Sequence, residues 1–187
     1  LPDAIDDRTA AAVMVKGLTA HMLVDRVHKI VPGMRVLVHA AAGGVGLLLC
    51  QWASRLGADV IGTVGSPEKA ALAQRSGCRH TILYRSEDFV ARVKEITGGR
   101  GVDVAYDSVG RDTFQGSLDC LARLGHLVNF GQSSGPVEPF AVSRLSTGSW
   151  SVTRPMLFHY TVEPAERDRM AAALFMARSE EHTSELQ

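Results

Sequence analysis

A turn of small residues is the part of this sequence whose residue types and spacing best suit ligand binding. The segment HAAAGGVG follows the apolar run RVLV and leads into a leucine-rich segment. Against the phosphate-binding pattern G-x-G-x-x-G, Ala41 replaces the first glycine, and Gly43 and Gly46 match the other two. Gly43 would let the backbone approach a pyrophosphate, and Gly46 would let the next helix pack closely on the strand. The N–H groups around Gly44 and Val45, at the positive end of the helix dipole, would bind the phosphate charge.

A tight turn that binds nothing is the alternative, and the surrounding pattern decides between the two interpretations. Short apolar or β-branched runs alternate with helical patterns, as expected of right-handed βαβ crossovers and a parallel sheet. The sequence therefore predicts an α/β fold, a doubly wound parallel sheet of the Rossmann nucleotide-binding type. The predicted strands are 35–40, 59–64, 80–84, 102–107 and 126–131, with 149–154 as a sixth.

Helices are predicted between these strands, and several have clear boundary residues. Ser66 and Pro67 suit the N-cap and first position of a helix that Gly77 ends. Gly and Ser are frequent after each strand, in AAGGVG, GSPEK, RSED, SVGRD and GQSSG. Ligands of doubly wound sheets bind in the crevice outside the carboxyl ends of the strands. These segments are therefore the predicted ligand site.

The end of the second strand distinguishes between two dinucleotides. NAD-binding sites place Asp or Glu there to bind the ribose hydroxyls, whereas this chain reads TVGSPEK, with no acid before Glu68. Lys69 falls in the first turn of a helix, where a cation opposes the helix dipole unless an anion lies nearby. The 2′-phosphate of NADP would supply that anion, with Tyr84 and Arg85 as further contacts. A solvated Lys69 balanced by Glu68 is the alternative; NADP is favoured.

Composition excludes several classes of function. Twenty basic and twenty acidic residues cancel, without the basic patch typical of proteins that bind nucleic acid or anionic membranes. No apolar run reaches the roughly 18 to 20 residues of a membrane span. The three cysteines are far apart and never form C-x-x-C, so neither disulfides nor a structural zinc site is expected. We expect a cytoplasmic protein.

Several motifs together resemble one family closely. KGLTA, HAAAGGVG, GTVGSPEK, YDSVGRDTF, FGQSSG and TRPMLFHY are similar to those of NADPH:quinone oxidoreductases. These form the zinc-free, zeta-crystallin-like branch of the medium-chain dehydrogenases/reductases. The resemblance extends from residue 1 to about residue 177. It implies NADPH as cofactor, quinones or related electron-poor carbonyls as substrates, and a homodimer.

The resemblance also implies roles for individual residues. Gly44 and Val45 would cover the pyrophosphate, with Gly43 and Gly46 beside them in the same cofactor-binding turn. The family commonly has Asn where Gln132 stands. The 2′-phosphate would be surrounded by Gly65, Ser66, Lys69 and Tyr84. The ribose and nicotinamide would lie along Val109, Gly131, Gln132, Ser133 and Ser134. Met156 and Leu157 would lie farther out.

Domain boundaries follow from the same comparison. Family members have a GroES-like catalytic domain that this chain lacks, so we expect the chain to be a fragment. Residues 1–34 would be a helical lead-in from that domain, and residues 35–177 the NADP-binding domain. Residues 178–187, RSEEHTSELQ, resemble the translation of a sequencing adapter and are interpreted as a non-native tail.

No catalytic side chain is predicted, because hydride transfer to a quinone needs orientation and a dry pocket more than acid–base groups. His159 and Tyr160 are interpreted as a packed aromatic corner and His39 as a core histidine, while Asp107 and Arg111 would pair beside the SVG loop. An enoyl or alkenal reductase of the same superfamily is one alternative function. A nucleotide- or RNA-binding module without catalytic activity is another, and the neutral charge argues against it.

Overall fold

A single parallel sheet organises the chain. The computed structural model describes residues 6–184, and its strands lie in the order β3-β2-β1-β4-β5-β6. The order reverses direction between β1 and β4, which creates the switch point at which doubly wound sheets bind ligands. The predicted α/β fold is confirmed. The strands are β1 (Arg35–Val38), β2 (Asp59–Val64), β3 (His80–Leu83), β4 (Val102–Asp107), β5 (Leu121–Asn129) and β6 (Ser151–Thr153).

Helices cover both faces of this sheet. Val36 and Val38 of β1 belong to one hydrophobic cluster and Leu37 to the other, because successive side chains of a strand point to opposite faces. Both clusters are buried, as parallel strands require. The first face packs against α1 (Asp7–His21), a π-helical turn (Met22–Val27), α2 (Gly44–Arg55), α3 (Pro67–Arg75) and α7 (Pro164–Ser184), and the second against α4 (Phe89–Ile96) and α5 (Phe114–Asp119). A 3-10 helix (Val142–Thr147) precedes β6, and α6 (Leu157–Tyr160) follows it.

Local capping explains where two of these helices begin. The Ser66 side chain accepts a hydrogen bond from the Lys69 N–H, with Pro67 as the first helical residue, as predicted. Asp88 caps α4 by accepting from the N–H groups of the second and third helical residues at 2.9 and 3.3 Å. Both caps lie at the carboxyl edge of the sheet, so they also fix the turns that border the crevice.

Strand β5 differs most from its prediction. It begins at Leu121 instead of residue 126, because Leu124 adopts a positive φ of 64° and the register with β4 shifts there. No sequence pattern marks this irregularity, so the strand was predicted to begin only after it. The strand ends at Asn129 because the next two N–H groups turn toward the Asp107 carbonyl oxygen.

The predicted tail is partly described by the structure. Helix α7 continues to Ser184 and so includes residues 178–184 of the predicted tail, since RSEEHTS contains neither Gly nor Pro to stop it. Residues 185–187 of the predicted tail and residues 1–5 of the predicted lead-in lie outside the described residues. The origin of the tail remains a prediction.

No helix between residues 6 and 184 combines the length and the apolar character needed to cross a bilayer.

Candidate functional site

The turn after β1 has backbone geometry that only small residues allow. Ala40 adopts a positive φ of 50°, and its carbonyl oxygen accepts the Gly43 N–H at 2.8 Å. A Cβ on Gly46 would lie 2.3 Å from that same oxygen, so helix α2 can approach the turn only with glycine there. Helix α2 begins at Gly44 without a capping side chain, which leaves its first N–H groups available to an anion.

A lysine from α1 lies over the start of α2. The Lys16 Cε and Nζ atoms lie 2.9 and 3.3 Å from the position of a Cβ on Gly44. Lys16 is exposed, and it forms no salt bridge with any residue the structure describes. Its ammonium group therefore adds positive charge to a helix N-terminus that is already positive. No sequence pattern marks Lys16, since it lies in a different helix and meets the turn only in the folded chain.

The turn after β2 brings together the residues predicted to bind the 2′-phosphate. The Tyr84 hydroxyl lies 2.8 Å from the position of a Cβ on Gly65, so the phenol lies directly over this turn. Ser66 caps α3, and the exposed Lys69 stands in its first turn. A hydrogen bond with the Ser66 side chain is the main cause that lowers the pKa of Glu68. The turn is thus rich in hydroxyl and charged groups that solvent, or a phosphate, can reach.

The loop after β4 is held by one buried carboxylate. Asp107 accepts hydrogen bonds from the N–H groups of Val109 and Gly110, at 2.8 and 3.0 Å, and from the Thr113 hydroxyl at 2.8 Å. The predicted pair between Asp107 and Arg111 is wrong: Arg111 contacts Asp112, with Nε 3.1 Å from the carboxylate. Two backbone N–H groups already occupy Asp107 Oδ1, the Thr113 hydroxyl lies 2.9 Å from Oδ2, and Arg111 extends toward solvent.

The loop after β5 packs backbone to backbone against the β4 loop. The Ser133 N–H donates to the Ser108 carbonyl at 3.2 Å, and the Ser134 N–H donates to the Val109 carbonyl at 2.9 Å. The Ser134 hydroxyl also donates to Val109 and accepts the Asp112 N–H, so it joins the loops and has less capacity for a ligand. The structure thus brings together Val109 and the predicted residues 131–134, of which Gln132 and Ser133 are the exposed members.

The remaining predicted contacts lie beyond β6. Met156 is exposed just before α6, while Leu157 and Tyr160 pack partly against the core and His159 is exposed. An open cavity of about 440 Å³ lies between Gln132 and this end of the sheet. The Arg154 guanidinium borders it and donates to the Asn129 carbonyl at 3.2 Å.

The three cysteines differ in the direction in which their pKa values shift, and a hydrogen bond with Cys50 lowers the pKa of Cys78. All three cysteines are buried and free. Hydrogen bonding with Cys78 and burial raise the pKa of Cys50, and burial raises the pKa of Cys120 to about 12. Nowhere in residues 6–184 do three or more His, Cys, Asp or Glu side chains form a group that could hold a metal ion.

Several known proteins are similar to most of this chain. A quinone oxidoreductase of Pseudomonas aeruginosa is 51% identical over 94% of this chain and 54% of its own length. A 2-haloacrylate reductase of Burkholderia is 49% identical over 92% of this chain and 53% of its own. The solved Escherichia coli quinone oxidoreductase complexed with NADPH superimposes with a TM-score of 0.92 at 49% identity, over 96% of this chain and 56% of that one.

These matches confirm the resemblance to quinone oxidoreductases. The chain spans about half the length of the curated relatives it matches. Residues 44–173, which include α2 and most of the crevice, match the family described as zinc-binding dehydrogenase. The chain therefore belongs to the zinc-binding dehydrogenase family.

Proposed function

We propose that this chain is the NADPH-binding part of an NADPH-dependent quinone reductase. The observation that carries the proposal is the turn after β2, where Gly65, Ser66 and Tyr84 meet beside Lys69 and no carboxylate ends the strand. A 2′-phosphate fits this turn, whereas the ribose diol of NAD would lack its usual acidic partner. The proposal is also supported by relatives that are named quinone oxidoreductases.

Each part of the cofactor has a matching group of residues. The first N–H groups of α2 and the Lys16 ammonium would bind the pyrophosphate. Gly65, Ser66, Lys69 and Tyr84 would surround the 2′-phosphate, and the joined loops at residues 108–112 and 131–135 would support the ribose and nicotinamide. When bound, NADPH supplies the hydride. The chain's own residues bind and orient it, and no side chain is assigned an acid–base step.

Reduction of an activated carbon–carbon double bond is the second candidate. The observation that favours it is the 49% identity to a 2-haloacrylate reductase. The same cofactor geometry serves both reactions, because hydride transfer to a quinone or to an electron-poor alkene differs mainly in the substrate pocket.

We further propose that the whole protein is a cytoplasmic, zinc-free homodimer. Residues outside this chain would complete its substrate pocket.

An assay of the full-length protein would separate the two candidates. We expect NADPH oxidation with a benzoquinone at a kcat/KM at least about tenfold above that with 2-chloroacrylate. A preference for the acrylate of that size would favour the second candidate. Activity with neither substrate would contradict both.

A further inference from the structure

A series of buried hydrogen bonds connects two loops of the crevice through His39. This histidine, at the end of β1, is only 1% exposed. Its Nδ1 lies 3.0 Å from the Thr63 hydroxyl and its Nε2 lies 2.9 Å from the Ser117 hydroxyl. Its ring also contacts Phe89 edge-on, with centroids 5.0 Å apart. Both ring nitrogens therefore have a partner inside the protein.

The direction of these hydrogen bonds follows from their outer partners. The Ser117 hydroxyl donates to the Thr113 carbonyl at 2.8 Å, so Ser117 must accept from His39 Nε2–H. With that proton on Nε2, a neutral His39 accepts the Thr63 hydroxyl proton at Nδ1, and Thr63 in turn accepts the Ala40 N–H at 3.3 Å. Burial lowers the pKa of His39, against an opposing effect of Asp107, which favours this neutral form.

Each end of the series reaches a different part of the crevice. At one end, Ala40 lies in the turn before α2, where its own carbonyl oxygen accepts the Gly43 N–H. At the other end, the Thr113 hydroxyl donates to the Asp107 carboxylate, which holds Val109 and the β4 loop. The neutral His39 ring therefore adds a side-chain connection between the turn at residues 40–46 and the loop at residues 108–113, and helps to hold the distance between them. It acts beside the pairing of β1 with β4 and the backbone hydrogen bond from the His39 N–H to the Tyr106 carbonyl at 3.0 Å.

We propose that His39 is a positioning residue that refines this distance beyond what strand pairing sets, and so raises the affinity for a ligand that contacts both segments. The inference rests on the proposed function, because NADPH is the ligand that would span them. A ligand bridging two segments already held at the correct spacing loses less free energy to ordering on binding. A ligand that contacts only the turn should gain nothing from that spacing.

Titration of the 187-residue chain with two ligands tests the proposal. NADPH would contact both segments, whereas 2′,5′-ADP lacks the nicotinamide half that lies along the β4 loop. We expect His39→Leu and Ser117→Ala to raise the Kd of NADPH about tenfold, the order expected when a buried hydrogen bond is lost. The Kd of 2′,5′-ADP should change less than about twofold, and His39→Gln, which keeps a donor toward Ser117, should restore part of the NADPH affinity.

Thr97→Val is the matched control. It also removes a buried hydroxyl, one that donates to the Val93 carbonyl and accepts the Gly101 N–H near the start of β4. It should leave both Kd values unchanged. If His39→Leu fails to fold, as judged by circular dichroism, the Kd values measured with the milder Ser117→Ala variant test the proposal.

Two results would overturn the inference, and they differ from failure of the proposed function. An unchanged Kd of NADPH, or equal increases for both ligands, would show that His39 has a structural role alone. A wild-type chain that binds neither ligand would overturn the proposed function and this inference with it.

Discussion

At the residue scale, the Asp107 carboxylate holds the loop after β4, and its removal should cost stability. Asp107→Ala leaves the N–H groups of Val109 and Gly110 and the Thr113 hydroxyl without their acceptor. We expect the free energy of unfolding to fall by about 3 kcal/mol, since hydrogen bonds to charged groups are stronger than neutral ones. Asp107→Asn, which keeps one acceptor oxygen, should lose about half as much. Urea unfolding measures both, and equal losses for Ala and Asn would contradict this role.

A pair of histidines makes stability depend on pH. The Nδ1 atoms of His28 and His126 lie 3.0 Å apart, and His126 Nε2 lies 2.9 Å from the Thr153 hydroxyl. Burial and the neighbouring His28 lower the pKa of His126 to about 4. Burial also lowers the pKa of His28, against an opposing effect of Asp103. One ring must donate and the other accept, so a second proton breaks the contact.

The sign of the pH effect follows from these lowered pKa values. Between about pH 6.5 and pH 4 the unfolded chain binds protons at these histidines that the folded chain excludes, so acid favours unfolding. We expect the free energy of unfolding to fall by about 1 to 2 kcal/mol from pH 7 to pH 4.5. The fall is of this modest size because water reaches part of the site and screens the charge. His126→Gln should remove that part of the pH dependence. Urea unfolding of both proteins at the two pH values would measure it; parallel pH profiles would refute the assignment.

Local signals made some residues predictable and left others hidden. The turn after β2 was predictable because its residues lie close together in sequence. Ser66 and Pro67 follow the rules for the start of a helix, and the absence of Asp or Glu at the end of β2 drew attention to Lys69. Lys16 was not predicted, because it reaches α2 from another helix and has no neighbouring motif. The pairing of Asp107 and Arg111 was predicted wrongly, because opposite charge in sequence says nothing about backbone N–H groups that compete for the carboxylate.

At the element scale, the start of α2 offers a matched pair of substitutions. A Cβ on Gly46 would meet the Ala40 carbonyl oxygen at 2.3 Å, and a Cβ on Gly44 would meet only the flexible end of Lys16. Backbone cannot move aside as a lysine can. We therefore expect Gly46→Ala to lower the free energy of unfolding by about 2 to 3 kcal/mol and Gly44→Ala by less than about 1 kcal/mol. Thermal or urea unfolding of both variants gives the comparison, and comparable losses would contradict the packing described for α2.

Strands with regular, buried backbone were predicted closely, and the strand with an irregular backbone was not. β2 and β4 have the predicted bounds, because DVIGTV and VDVAYD are buried on both faces. β5 was predicted to begin five residues too late, because the sequence does not show that Leu124 and Gly125 form a register shift within the strand. The π-helical turn at Met22–Val27 has no sequence signature; the Tyr106 hydroxyl supports it by donating to the Leu23 and His28 carbonyls at 3.0 and 3.3 Å.

At the scale of the whole molecule, alternation of strands and helices was enough to predict the fold and the edge of the sheet that forms the crevice. The positions of loops relative to one another were not predictable, because they depend on buried hydrogen bonds between segments far apart in sequence. The link from His39 through Ser117 to the β4 loop is one such case.

Because the proposal places part of the substrate pocket outside this chain, it predicts that this chain alone does not reduce quinones. Its curated relatives are about twice as long, and we place the rest of the substrate pocket in residues outside this chain. With the nicotinamide face open to water, quinone-dependent NADPH oxidation by the purified 187-residue chain should equal the rate without protein. The full-length protein is the control. Turnover by the chain well above that background would contradict the proposal that residues outside this chain complete the pocket.

Selective binding of NADPH is the central claim, and one titration tests it most directly. The Kd values of NADPH and NADH are measured with the wild-type chain, with Lys69→Ala, and with Lys94→Ala as a control on α4, remote from the β2 turn. We predict that the wild-type chain binds NADPH at least about tenfold more tightly than NADH, because charge-assisted contacts to the 2′-phosphate contribute about 1.5 to 3 kcal/mol. Lys69→Ala should remove most of that preference and Lys94→Ala none. Equal affinities of the wild-type chain for the two cofactors, or a preference that survives Lys69→Ala, would contradict the account.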